Sequence, residues 1–373
     1  MSEPTSLEEL RARLTAIDRE LIALMAERQR LSRGVERAKR ATGHATRDYR
    51  REREVILGVR SLAAQQGVSP DVAEQVLRLL IRSSLATQEQ ARVEASGQGN
   101  GRRALIIGGH GKMGRWFADF LSSQGFRLET ADPAAGSVDS YAHRSDWQES
   151  QLDHDIIVVA TPLSVTAQVL HELALRRPSG LVFDLASIKT PLRDGLAALV
   201  AAGVRVTSLH PMFGPDTDLL SGRHVIYIDL GVPGALEGAQ ELFAATMAEK
   251  VVMTLDEHDR LIAYVLGLSH ALNIAFFTAL ADSGEDAPRL ARMSSTTFDS
   301  QLAVASRVAD ESPALYFEIQ ALNAYGAESL NALSLAVTRL QDMVKRGDQA
   351  GFAQMMERGR SYLHARSSLG GAG

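Results

Sequence analysis

The chain reads as three domains in succession: all-α, then α/β with an open and mostly parallel sheet, then all-α again. Three observations predict this. Apolar residues recur on alternating three- and four-residue steps through residues 6–41, strands alternate with helices from residue 104, and the pattern turns helical again near residue 235.

The first domain is expected over residues 1–92. Leu7, Leu10, Leu14, Ile17, Leu21, Leu24, Leu31, Val35 and Ala38 form a heptad seam on one helix, with Ser6 and Glu9 as a capping box and Gly43 as its stop. At 1.5 Å per residue this helix is about 50 Å long, more than a 90-residue monomer can cover, so an intertwined homodimer is expected. A second helix is predicted over residues 48–66 and a third from Ser69-Pro70-Asp71 to about residue 92. A polar, glycine-rich linker follows over 93–103. Strands are then expected at 104–108, 127–131, 155–160, 181–185, 204–209 and 224–229, which sets the α/β domain at 104–232. A helical domain at 233–366 and a flexible tail at 367–373 complete the chain.

Composition narrows the function. Hydrophobic residues make up 45% and charged residues 23%, as in soluble globular proteins. The net charge of −5 argues against a nucleic-acid partner. With no cysteine there are no disulfides, thiolate metal sites or cysteine nucleophiles, and no metal is expected. No apolar stretch is expected to reach the ~20 residues that span a bilayer, and residues 1–10 are too polar for a signal peptide, so a cytoplasmic protein is expected. Charge is uneven: residues 1–90 hold 16 Lys/Arg against 13 Asp/Glu, a small basic excess on an acidic remainder.

Residues 104–114 read ALIIGGHGKMG, a strand followed by Gly109-x-Gly111-x-x-Gly114 at the start of a helix. That context makes a Rossmann-type dinucleotide site: the glycines allow a tight turn, close backbone approach to a pyrophosphate and close helix–strand packing. Gly109, Gly111, Met113 and Gly114 are the expected loop contacts. Asp132, 18 residues past Gly114, suits a ribose 2′-hydroxyl and repels a 2′-phosphate, so NAD is the expected cofactor. Thr161-Pro162, after the third strand, is expected near the nicotinamide.

The helical domain carries charge where a seam should be apolar. Arg28 lies between Leu24 and Leu31 in the heptad and requires an anionic partner. Lys39 shares its face, while Asp48, Arg51 and Glu52 share one face of the second helix. Ser84 and Gln88 stand four apart on the third. Arg11 is about 25 Å from Arg28 along the helix and can reach such a site only from a partner chain. Together they describe a dry cationic pocket for a small dicarboxylate. Downstream, DLASIK (184–189) and LHPMFGPD (209–216) fall at strand ends, where ligands of open α/β sheets bind, and His210 is held among rigid loop residues.

Residues 1–92 resemble the all-helical chorismate mutase domain, with each pocket position matched, and residues 104–330 resemble prephenate dehydrogenase. The domain order is similar to that of the bifunctional chorismate mutase/prephenate dehydrogenases. The resemblance implies rearrangement of chorismate to prephenate, then NAD-dependent oxidative decarboxylation to 4-hydroxyphenylpyruvate in tyrosine biosynthesis. It implies that Lys39 and Gln88 donate to the ether oxygen, that Arg28, Arg51 and the partner's Arg11 hold carboxylates, and that Glu52 with Asp48 takes the ring hydroxyl. It further implies that His210 polarises the 4-hydroxyl with help from Ser187, that Arg307 binds a carboxylate, and that Lys189, His258 and His270 shape the site. Asp299 stands where members of the family carry a second arginine. Members are often inhibited by tyrosine, and Tyr316 is the position at which that is to be tested here. Two other readings share these motifs: the 4-amino-4-deoxy substrate series, and a dehydrogenase whose mutase arm serves only dimerisation. A non-enzymatic NAD sensor is the third alternative.

Overall fold

The computed structural model describes residues 6–134 and 141–369. α1 (Leu7–Ala41) has the expected capping box of Ser6 and Glu9. α2 (Tyr49–Gln65) is capped by the Asp48 carboxylate, which accepts from the Arg51 backbone N–H. α3 (Pro70–Ala95) begins on its proline, but Ser69 makes no capping hydrogen bond. α1 and α2 both pack on α3. The heptad leucines Leu7, Leu10, Leu14, Leu21, Leu24 and Leu31 are exposed, and α1 buries only Ser32 and Glu36.

The sheet domain runs β1 (Arg103–Ile107), α4 (Lys112–Ser123), β2 (Arg127–Ala131), β3 (Ala142–Arg144), β4 (Ile156–Val159), α5 (Leu163–Arg176), β5 (Leu181–Asp184), α6 (Arg193–Ala201), β6 (Val206–Pro211), β7 (His224–Ile228), α7 (Ala235–Leu242) and β8 (Glu249–Met253). The strand order is β3-β2-β1-β4-β5-β6-β7-β8. Every pairing is parallel except β6 with β7. The chain reverses direction across the sheet between β1 and β4, which opens a ligand crevice at their carboxyl ends. Alternation sorts the strand residues onto two faces. Leu105, Ile107, Ile157, Val159, Val182 and Val206 meet α5 and α6, while Ala104, Ile106, Ile156, Val158, Leu181 and Phe183 meet α4 and α7. The strands are apolar on both faces because helices cover both.

The sheet extends to Met253, beyond residue 232 where the α/β domain was expected to end, because β8 pairs in parallel with β7, Val225 beside Lys250 and Tyr227 beside Val252. The helical part comprises α8 (Leu255–Ile262), a π-helical turn (Ala263–Leu268), α9 (Ser269–Asp282), α10 (Ala287–Arg292), α11 (Thr296–Ala309), α12 (Pro313–Ala321), α13 (Gly326–Arg346) and α14 (Gln349–Leu369). Contrary to the sequence expectation, the continuous run Leu255–Asp282 is long and apolar enough to cross a membrane by length and composition. It also carries buried His258 and Asp259 against the sheet. The expected tail at 367–373 begins inside α14, and residues 370–373 lie outside the described residues.

The segment joining α3 to β1 is packed. Gly99 N–H donates to Gln124 O at 2.9 Å, and a Cβ on Gly99 would lie 2.3 Å from the Gly125 carbonyl carbon. A second seam joins the same modules: Glu89 of α3, 4% exposed, accepts from the backbone N–H of Leu220 at 2.7 Å and from that of Met247. Burial pushes the Glu89 carboxyl up, and the two N–H donors oppose that shift.

Candidate functional site

A cavity of about 200 Å³ opens between the three N-terminal helices. Arg28, Lys39, Asp48, Arg51, Glu52, Ser84 and Gln88 all line it, so every position singled out there within one chain converges on one space. Arg28 donates to the Ser84 hydroxyl and the Leu80 carbonyl and has no carboxylate partner among the described residues. Its burial lowers its pKa through desolvation, so it sits as an uncompensated cation awaiting an anion. Lys39 Nζ donates to the Thr46 carbonyl and, at 3.1 Å, to Gln88 Oε1. That bond turns the Gln88 amide so that its NH₂ remains as a donor. Glu52 is held by Arg47 through two bonds of 2.9 and 3.1 Å, and Arg47 reaches on to Ser221 of the sheet domain at 2.8 Å. Arg47 was not among the residues read from sequence. Arg11 is exposed on α1 and lines no part of this cavity.

The second constellation lies at the carboxyl ends of β5 and β6. Asp184 and His210 project on the same face as Val182 and Val206, by the two-residue period, toward α8. His210 Nδ1 is 2.9 Å from His258 Nε2, and His258 Nδ1 is 2.7 Å from Asp259 Oδ1. A carboxylate only accepts, so His258 carries its proton on Nδ1 and presents a lone pair at Nε2. His210 therefore carries its own proton on Nδ1, and its outward Nε2 is an acceptor. Burial alone would raise the Asp259 carboxyl, but hydrogen bonds from His258, Thr190 and the Lys189 N–H hold it low. Burial, His258 and Lys189 push His210 well below the usual histidine range. Lys189 is fully buried, its Nζ bonded at 2.7 Å to both Asp184 Oδ1 and the Leu209 carbonyl. It ties the end of β5 to the residue before His210.

The glycine loop sits where β1 opens into α4. Gly108 has φ +86°, a left-handed turn. A Cβ on Gly109 would lie 2.6 Å from Thr130 Cβ, and one on Gly114 would lie 2.2 Å from the Gly108 carbonyl oxygen. The start of α4 therefore lies bare against the end of β1, a cradle that fits a pyrophosphate at a helix N-terminus. Asp132 closes the loop by accepting from the His110 N–H at 3.1 Å.

Three family models divide the chain. Residues 10–89 match chorismate mutase type II, 130–252 the nucleotide-binding domain of prephenate dehydrogenase, and 254–358 its dimerization domain. The T-protein of Enterobacter agglomerans is 30% identical over 317 residues, covering 84% of this chain and 81% of that protein. The chain belongs to the T-protein family. It is a bifunctional enzyme of tyrosine biosynthesis, with chorismate mutase and NAD-dependent prephenate dehydrogenase activities. The Haemophilus influenzae T-protein is 27% identical over 370 residues, covering 97% of this chain and 94% of that one. Among solved structures, Aquifex aeolicus prephenate dehydrogenase with hydroxyphenyl propionate and NAD+ shares the fold. It has a TM-score of 0.57 and 18% identity, covering 72% of this chain and 98% of that one.

In this T-protein family member, two buried side chains back the strand that carries His210. Lys189 and His258 are wholly buried and bonded to protein groups, so neither can touch a substrate: both hold His210. The Met113 side chain packs against the core on the α4 face of the sheet. Glu257 closes a capping box with Thr254 at the start of α8. Ser187 is half-buried near the strand end, and Thr161 bonds Thr166 at 2.9 Å beside exposed Pro162. The His270 ring stacks edge-on against Tyr316, centroids 4.3 Å apart, with its buried Nδ1 unpartnered among the described residues. Arg307 is exposed at the end of α11, and Asp299 bonds Ser294 in its first turn. Lys112 of the glycine loop faces Glu311 at 3.6 Å.

Proposed function

We propose that the helical cavity binds chorismate as a dianion and that the strand-end site oxidises prephenate, with the residue roles that follow. Arg28 and Arg51 bind carboxylates, joined by Arg11 from a second chain. Lys39 and the free Gln88 amide donate to the ether oxygen as its bond breaks and negative charge grows there. Glu52, fixed by Arg47, takes the ring hydroxyl, and Asp48 caps the helix that carries it. The pericyclic step needs no nucleophile, only this fixed geometry.

At the second site, the acceptor Nε2 of His210 takes the hydrogen bond of the C4 hydroxyl and draws electron density toward C4 as hydride departs. Bound NAD supplies the hydride acceptor. The C1 carboxylate leaves as carbon dioxide, its bonding pair closes the aromatic ring, and 4-hydroxyphenylpyruvate remains. Ser187 supports the hydroxyl, Arg307 receives a carboxylate, and Thr161-Pro162 flanks the nicotinamide position. Gly109, Gly111, the Met113 N–H and Gly114 hold the pyrophosphate, and Asp132 the ribose. The protein works as a homodimer in the cytoplasm. The exposed seam of α1 and the match to a dimerization domain support that reading. Tyrosine inhibits at the His270–Tyr316 side of the pocket.

The observation that carries the whole reading is the convergence of seven predicted residues on one 200 Å³ cavity in a chain that also holds the Asp259–His258–His210 relay. Purified protein given chorismate yields prephenate without NAD and 4-hydroxyphenylpyruvate with it. Preferential turnover of the 4-amino analogues would assign the rival substrate series, and no product from chorismate without NAD would reduce the helical domain to a dimerisation arm.

A further inference from the structure

A second and larger cavity, about 900 Å³, lies at the seam between the mutase helices and the sheet domain, lined by α2, α3 and residues 219–223. Six arginines and two glutamates line it, against apolar walls from Ile56, Leu57, Leu85 and Leu219. Arg47 is paired with Glu52, and Arg60 and Arg78 share Glu74. Arg53, Arg82 and Arg223 have no carboxylate partner among the described residues. Three guanidinium groups without a carboxylate partner line one groove, and each can bind an anionic oxygen pair in forked geometry.

The groove adjoins the helical cavity, and its far rim runs toward the strand that pairs with the His210 strand. Glu52, Ile81 and Leu85 line it and the 200 Å³ cavity alike. Its other rim, Ser221 to Arg223, leads directly into β7. There the Met212 N–H donates to the His224 carbonyl at 2.9 Å, two residues past His210. Arg223 is thus about 10 Å along the strand pair from His210. Apolar walls suit a ring, and the net positive charge suits two carboxylates.

We propose that this groove is a third binding site, specific for a ring-bearing dicarboxylate: it holds prephenate between its formation at the helical cavity and its oxidation at His210. The inference rests on the bifunctional reading above. It adds a place where the shared intermediate rests without reacting.

Equilibrium dialysis of labelled prephenate against the whole enzyme without NAD provides the test, using Arg53→Ala/Arg82→Ala/Arg223→Ala beside the unmodified chain. The triple variant is expected to bind one prephenate fewer per chain, and the corresponding triple lysine variant to keep it. Mutase turnover of chorismate and dehydrogenase turnover of added prephenate, assayed separately, stay within about twofold, since these are peripheral side chains. Equal counts in the two proteins overturn the proposal. So does displacement of the extra prephenate by equimolar inorganic phosphate, which would reduce the groove to a charged surface. If the separate turnovers are absent from the unmodified chain, the bifunctional reading fails instead, and the dialysis count still decides whether the groove binds.

Discussion

Asp259 bonds His258 rather than His210, yet its carboxylate decides whether the outward Nε2 of His210 carries a lone pair or a proton. In Asp259→Asn the amide can donate to His258, which reverses the tautomer of both rings and leaves His210 with a proton where it needs a lone pair. Dehydrogenase kcat is expected to fall roughly 10²–10⁴-fold, with the mutase rate and NAD affinity intact. Steady-state assays of the two reactions with an NAD titration check this; a kcat within threefold of the parent would remove the relay from the mechanism. The lowered pKa of His210 adds a sign. The neutral ring is the working form, and burial keeps it neutral below the usual pKa of ~6.5. Rate against pH is therefore expected to stay level from pH 7.5 through 6.5 and to decline only in more acid solution, whereas an ordinary histidine would halve the rate near 6.5. At this scale the mutase pocket was legible because charges on a heptad seam are conspicuous. The roles of Asp259 and Arg47 were not, since Asp259 acts on His210 only through His258 and Arg47 joins Glu52 to Ser221 across a domain seam.

The junction of β1 and α4 was legible almost to the residue, because glycines at 109, 111 and 114 leave few alternatives for the backbone. Gly114→Ala places a methyl 2.2 Å from a main-chain oxygen that has no room to yield. The apparent NAD KM is expected to rise at least about tenfold, with chorismate mutase turnover unchanged. An unaltered NAD titration would mean that α4 can slide. β8 escaped prediction because Glu249–Met253 is a short edge strand starting on two charged residues between helical stretches. Its five residues carry too little alternation to outweigh their neighbours. β3 is shorter still at three residues. Neither affects the catalytic strand ends, so the site could be read from a sheet whose edges were incomplete.

At the scale of the molecule, α1 exposes its leucine seam along its whole length and carries Arg11 away from its own cavity. If Arg11 acts in a partner's cavity, as proposed above, two chains damaged at different positions should complement each other. Lys39→Ala alone is expected to lower mutase turnover at least ~10³-fold, and Arg11→Ala to impair it as well. Mixing the two inactive chains under conditions that let subunits exchange is expected to restore about a quarter of the parent activity. Half of the dimers are then mixed, and each mixed dimer has one site with both residues intact. No recovery, with exchange verified by a mass tag, would place Arg11 outside the site. A dimer is what the length of α1 leads one to expect. The packed joint between modules could not be anticipated, because the SGQGNGRR run resembles a loose tether and is held by backbone contacts to 124–125. Gln88 and Glu89 are neighbours on α3: one reaches Lys39 in the mutase cavity, the next grips the sheet domain through Leu220 and Met247. Successive residues of a helix point 100° apart, so inserting or deleting a single residue upstream in α3 would turn both away together. The two activities are thereby joined in inheritance as well as in space: α3 can drift in composition, but its phase is shared property that neither half can change alone.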